Sequence, residues 1–121
     1  ISQGKWESVA QLAERDSMRL HGVSMTTNLD NPLIAWEPEN ISLFHMCHRL
    51  RDQEIPVYFS TDTGPSVVFL THSDYQDEVM HNISLLDLEL DIIPGKIAGP
   101  ATLLPSSETL IDLDDSKQSN E

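Results

Sequence analysis

The sequence is short of cations, of cysteine and of long apolar runs. Seven Lys and Arg stand against twenty Asp and Glu in 121 residues, a formal net charge of −13. Cations so few and so scattered form no basic stripe, which excludes a nucleic-acid grip. The same shortage excludes docking on an anionic membrane surface. Nothing approaches the roughly 18 consecutive apolar residues that a membrane-crossing helix needs. The single cysteine, Cys47, rules out an internal disulfide framework and fits a reducing compartment, so a cytoplasmic location is expected. No Walker-type loop, G-x-G-x-x-G, G-x-S-x-G or H-E-x-x-H motif is present. The first residue is Ile1, and no charged segment leads into an apolar one, so no signal peptide is expected and the chain reads as a segment of something longer.

What is present fits one domain. Trp6, Val9, Ala10, Ala13 and Leu20 recur at three- and four-residue intervals, which predicts an amphipathic helix from about Lys5 to His21 with Gly22 ending or loosening it. A loop over Thr26 to Pro38 follows. Ile41, Phe44, Cys47, His48 and Leu50 form a broad stripe of a second helix, Asn40 to Asp52, with Asn40 as its N-cap. Val57–Thr61 and Ser66–Thr71 are β-branched and aromatic, and their short connection predicts antiparallel pairing. Ser73 sits three residues before Gln76, a capping-box spacing, and opens a third helix to about Ile83. Leu86, Leu88, Leu90 and Ile92 alternate with acids, which predicts a further strand. The expected fold is an α+β two-layer sandwich, helices packed on one face of a small antiparallel sheet. Residues 1–97 form the folded domain and residues 98–121 an acidic tail, partly docked through Leu110, Ile111 and Leu113 or disordered.

Few residues offer chemistry. His45, Cys47 and His48 crowd one helix, but adjacent positions point apart and no carboxylate partner lies near in sequence, so no metal site is expected. The turn Thr61-Asp62-Thr63-Gly64-Pro65-Ser66 is more specific. It holds a carboxylate at the end of a strand on a rigid connection, where Gly64 permits a left-handed φ and Pro65 fixes its own. Such a turn aims one carboxylate at a ligand, or is a plain hairpin connection.

Three segments in order resemble the C-terminal domain of the mevalonate diphosphate decarboxylase family, within the GHMP kinase superfamily. Leu12–Gly22, which ends in His21-Gly22, is similar to that family's helix ending in a His-Ala pair. Asn31–Trp36 is similar to its Pro-Pro loop with a following aromatic, and Val57–Val67 to its strand–turn–strand signature, usually Tyr-Thr/Phe-x-Asp-Ala-Gly-Pro-Asn. The resemblance implies a GHMP C-terminal, ferredoxin-like fold and a carboxy-lyase that uses ATP and Mg2+ to phosphorylate the tertiary hydroxyl of mevalonate 5-diphosphate. Loss of that phosphate drives decarboxylation to isopentenyl diphosphate. It matches Asp62 to the catalytic aspartate, with Gly64, Pro65 and Ser66 beside the substrate, and it makes His21 a packed or network residue.

Thr63, Ser66 and Asn31 depart from the family pattern, which leaves two substrates open, the diphosphate and a monophosphate relative. A phosphorylated carboxylate substrate beside ATP demands cations and phosphate-cradling amides. In the family these lie in the N-terminal domain, so the implied partner is that domain, and the chain alone is expected to be inactive. The family often dimerises, which implies a homodimer. The competing expectation is a non-catalytic α+β interaction module that has kept the fold.

Overall fold

A computed structural model describes residues 5–108, and the expected docking of Leu110, Ile111 and Leu113 lies outside the described residues. The chain divides into two units, Ile1–Leu90 and Asp91–Glu121. In the first, helix α1 spans Trp6–Thr26, α2 Pro38–Asp52 and α3 Gln76–Ser84; strands β1, Val57–Thr61, and β2, Val67–Thr71, form the sheet. The second unit, over its described part, is exposed and has no helix or strand beyond a single 3-10 turn at Ser106–Glu108. No helix among the described residues is long and apolar enough to cross a membrane.

The architecture is α+β, three helices around a two-stranded antiparallel sheet whose register sets Phe59 opposite Phe69. The apolar core lies between the sheet and the helices α2 and α3. Leu43, Phe44, Met46, Cys47 and Leu50 of α2 meet Val57 and Phe59 of β1, with Val79 and Ile83 of α3. Phe44 stacks on Phe59 at 4.2 Å between ring centroids. Helix α2 ends in a Schellman closure: the Ile55 amide donates to the Leu50 carbonyl and the Glu54 amide to that of Arg51. Glu54 takes the left-handed conformation, φ 63°, where glycine is the usual residue.

Several boundaries differ from the sequence expectation. Gly22 does not end α1, which continues to Thr26. Ile41 and His48, assigned to the apolar stripe of α2, are exposed, whereas Leu43 and Met46 are buried. Asn40 is not the N-cap: Glu37 is, and Asn40 is the third helical residue, its side chain accepting the Glu37 amide in a reciprocal capping box. A 3-10 turn at Ser73–Tyr75 precedes α3, and the His72 ring, rather than Ser73, caps that turn by accepting from the Asp74 amide.

The strand expected over Leu86–Ile92 does not form. Leu85 and Leu86 are held by turn bonds back to His81 and Ile83, and Asp87 adopts a left-handed φ of 51°, which no strand accommodates. Leu86, Leu88 and Leu90 still pack against the core. The alternation therefore reports side-chain burial without a backbone ladder.

Candidate functional site

Helix α1 presents only part of the apolar stripe its sequence suggested: Ala10 is buried and Trp6 and Ala13 are half-buried. Val9 and Leu20 are exposed, and the inward positions are Ala10, Glu14, Ser17 and His21, spaced four, three and four residues apart on one face. Of these, Glu14 and Ser17 serve the outer edge of β1. The Glu14 carboxylate accepts the Phe59 amide at 3.1 Å, and the Ser17 hydroxyl accepts the Thr61 amide at 3.0 Å. Ser17 and Ser60 hydroxyls lie 3.2 Å apart. An open strand edge is a row of unpaired donors and acceptors, and here α1 closes it with side chains.

Arg51 reinforces that closure from α2. Its guanidinium grips Glu14 with two bonds and donates a third, 3.1 Å, to the Val57 carbonyl. Burial works to lower the Arg51 pKa, but the hydrogen bond and charge of Glu14 outweigh it, and the group is held protonated more firmly than usual. Cys47 donates to the same Val57 carbonyl. Burial pushes its thiol up to about 12, against the lowering pull of Arg51 and with a smaller raising effect from Glu14. A buried thiol so held stays protonated at neutral pH and is a poor nucleophile. His45 and His48 stay exposed, and no group of three or more His, Cys, Asp or Glu able to hold a metal exists among the described residues.

Thr61, fixed by Ser17, is the last residue of β1, and Asp62 follows it into solvent. Asp62 lines the rim of an open cavity of about 360 Å³ with Asp16, Ser17 and Thr61. Among the described residues nothing hydrogen-bonds or ion-pairs with the Asp62 carboxylate. Gly64, Pro65 and Ser66 do not line the cavity. They form the far side of the turn, where Asn40 Nδ2 donates to the Pro65 carbonyl. Asn40 is 2% exposed and ties the turn to the start of α2. That tie was not read from the sequence, although an Asn three residues beyond a Glu-Pro helix start was the available signal.

The expectation for Gly64 is corrected. Its φ is not left-handed, and a Cβ there would meet nothing within 4 Å. The turn does not require glycine at this position. His21 is buried against Trp36, ring centroids 4.8 Å apart, and Trp36 packs edge-on to Phe44. His21 Nε2, Trp36 Nε1 and Thr61 Oγ1 are buried without a hydrogen-bond partner among the described residues.

No Lys or Arg lines the cavity beside Asp62, and no glycine-rich phosphate loop is present in the sequence. What the cavity offers is two carboxylates with no hydrogen bond or ion pair among the described residues, Asp16 on α1 and Asp62 on a turn anchored at both ends.

No protein-family model matches the chain. A phosphomevalonate decarboxylase from Haloferax volcanii is 36% identical over 111 residues, which covers 91% of this chain and 33% of that protein. The chain thus spans about a third of the length of this curated relative. Among solved structures, the mevalonate diphosphate decarboxylase from Staphylococcus aureus superposes with a TM-score of 0.59 at 21% identity, covering 71% of this chain and 24% of that one. The mevalonate diphosphate decarboxylase from Enterococcus faecalis, described for mevalonate-diphosphate-mediated ATP binding, gives 0.61 at 22% identity, covering 68% and 25%. The resemblance drawn from the three sequence segments holds, and the two solved structures share the fold.

Proposed function

We propose that this chain, similar to a phosphomevalonate decarboxylase over 91% of its length, is the C-terminal third of a cytoplasmic, ATP-dependent decarboxylase of a phosphorylated mevalonate. The observation that carries the reading is the turn of Asp62. Its carboxylate is unengaged, sits at a cavity rim, and follows a strand end that Ser17 holds on one side while Asn40 holds the turn on the other. In this reading Asp62 orients, and takes the proton from, the tertiary hydroxyl of the substrate, with fixed placement supplying much of its effect. Phosphoryl transfer depends mainly on positioning and charge stabilisation. ATP and Mg2+ find no cradle here and belong to the remainder of the polypeptide, as does the grip on the substrate phosphate.

Mevalonate 5-phosphate is the favoured substrate in place of the diphosphate. The relative named for the monophosphate is 36% identical, whereas the diphosphate enzymes compared are 21% and 22% identical. The product is then isopentenyl phosphate. The test is ATP-dependent CO2 release by the full-length gene product with each of the two substrates, in wild type and in Asp62→Asn. Turnover on the monophosphate, lost by at least about 100-fold in the variant with nucleotide affinity nearly intact, is expected. Turnover on the diphosphate alone would overturn the substrate, and near-normal turnover in Asp62→Asn would remove that residue from the reaction. No turnover on either substrate would favour a non-catalytic module.

A further inference from the structure

A serine hydroxyl has one proton to donate and two lone pairs that accept. The Ser17 Oγ accepts the Thr61 amide at 3.0 Å and lies 3.2 Å from the Ser60 Oγ. One bond between two hydroxyls uses one of their two protons, so the other proton is left over. Among the described residues neither hydroxyl makes a further bond. Ser17 is 5% exposed, whereas Ser60 is half-buried. The order that puts the surplus proton at the accessible end runs from the Thr61 amide to Ser17, and from Ser17 to Ser60. In such a head-to-tail chain each bond polarises the next, which strengthens the last donor.

That donor stands beside an acceptor. Ser60 and Asp62 line the same cavity, one residue apart on either side of Thr61. Two residues of extended chain advance about 6.6 Å. Two hydrogen bonds of about 2.8 Å to one shared oxygen span up to about 5.6 Å, so the two side chains are spaced to address a single atom. A group that meets both needs a proton to give and a lone pair to offer, and an alcohol has both. An anion fits poorly, because Asp16 and Asp62 line this cavity and no Lys or Arg does.

We infer that Ser60 is a second catalytic residue of this site, its hydroxyl donating to the substrate oxygen whose proton Asp62 takes. It holds on the reading that the chain is part of a decarboxylase of a phosphorylated mevalonate. In the first step that oxygen bonds to the phosphorus supplied by ATP, the bond from phosphorus to the ADP oxygen breaks, and the alcohol proton passes to Asp62. In the second, the C–O bond breaks with its electron pair on the oxygen, which leaves as phosphate and recovers the proton from Asp62. The pair of the bond to the carboxylate carbon becomes the new double bond, and CO2 departs. The oxygen gives up electron density in the first step and gains negative charge in the second. A fixed donor stabilises charge as it develops, so Ser60 acts chiefly on the second step.

A single turnover tests this, with the full-length gene product in excess over whichever phosphorylated mevalonate it turns over, in the presence of ATP and Mg2+. ADP and CO2 are followed on one sample. Wild type is expected to form the two together. In Ser60→Ala, CO2 is expected to form about tenfold or more slowly than ADP, as the phosphorylated intermediate accumulates. Ser60→Thr keeps the hydroxyl on a strand-forming residue and is expected to close that gap. A serine that only supports the strand would slow both products alike or neither, and either result overturns the inference. A lag that Ser60→Thr shares with Ser60→Ala overturns it as well. The two readings fail differently: a wild type that forms neither product sinks the decarboxylase and Ser60 with it, whereas an active wild type beside a Ser60→Ala variant without a lag sinks Ser60 alone.

Discussion

Glu14 of α1 and Arg51 of α2 meet as a bidentate pair at 2.7 and 2.9 Å, and the same carboxylate accepts the Phe59 amide at 3.1 Å. One side chain therefore joins both helices to the central residue of β1. The pair is mostly shielded, with 16% of the Glu14 side chain and 24% of that of Arg51 exposed. The guanidinium also lies 4.9 Å from the centre of the Tyr58 ring. This arrangement substitutes for a neighbouring strand: the donors and acceptors that a ladder would engage are met by side chains, the charged Glu14 and Arg51 with the neutral Ser17 and Cys47.

Glu14→Ala leaves the Phe59 amide unpaired and Arg51 without its counter-charge. Removing one partner of a shielded pair costs more than the pair contributes. After a discount for partial exposure, the expected loss is about 2 kcal/mol, or roughly 10 °C in Tm for a domain of this size. Urea denaturation of the variant checks it. A loss below about 0.5 kcal/mol, the level of an ordinary surface substitution, would show that water replaces the carboxylate at β1.

Cys47 gives the fold an alkaline limit. Its thiol ionises near 9.0 in the unfolded chain and at about 12 in the folded one. Between those values the unfolded state has released a proton that the folded state keeps, so stability falls as pH rises above 9. Stability measured from pH 8 to 10.5 should decline more steeply for the natural chain than for Cys47→Ala. Equal slopes would mean the thiol is not held neutral. The same burial predicts that iodoacetamide alkylates Cys47 at pH 8 only after unfolding.

The sequence made some of this legible and hid the rest for physical reasons. The β-branched run at 57–61 and its return at 67–71 were readable because strand composition and the intervening turn agree. The inward face of α1 was misread because periodicity counts apolar residues, whereas this helix packs on backbone groups and buries Ser17 and His21. Leu86–Ile92 was misread because alternation records which side chains are buried and says nothing of hydrogen bonding. Asp62 stood out through the resemblance of its turn, since composition alone fits any hairpin connection. The anchors of that turn, Ser17 and Asn40, lie 44 and 25 residues from their partners, beyond the reach of local pattern.

Asn40 separates stability from site geometry. Its Oδ1 accepts the Glu37 amide at 2.7 Å, which caps α2, while its Nδ2 donates to the Pro65 carbonyl and holds the turn of Asp62. Asn40→Ala removes both bonds in a buried position, and a loss of about 1–3 kcal/mol is expected. Asn40→Asp keeps an acceptor for the cap but has no proton to give Pro65, and sets a negative oxygen against its carbonyl. If the tie to Pro65 positions Asp62, the Asp variant of the full-length enzyme should lose turnover by about tenfold or more at nearly unchanged nucleotide KM. Turnover that follows only the loss of folded protein, corrected by the folded fraction at the assay temperature, would reduce Asn40 to a helix cap. A third substitution settles the direction: Pro65→Ala keeps the accepting carbonyl and should leave both the cap and the tie in place. It should therefore retain more activity than Asn40→Asp, even though it alters the turn itself.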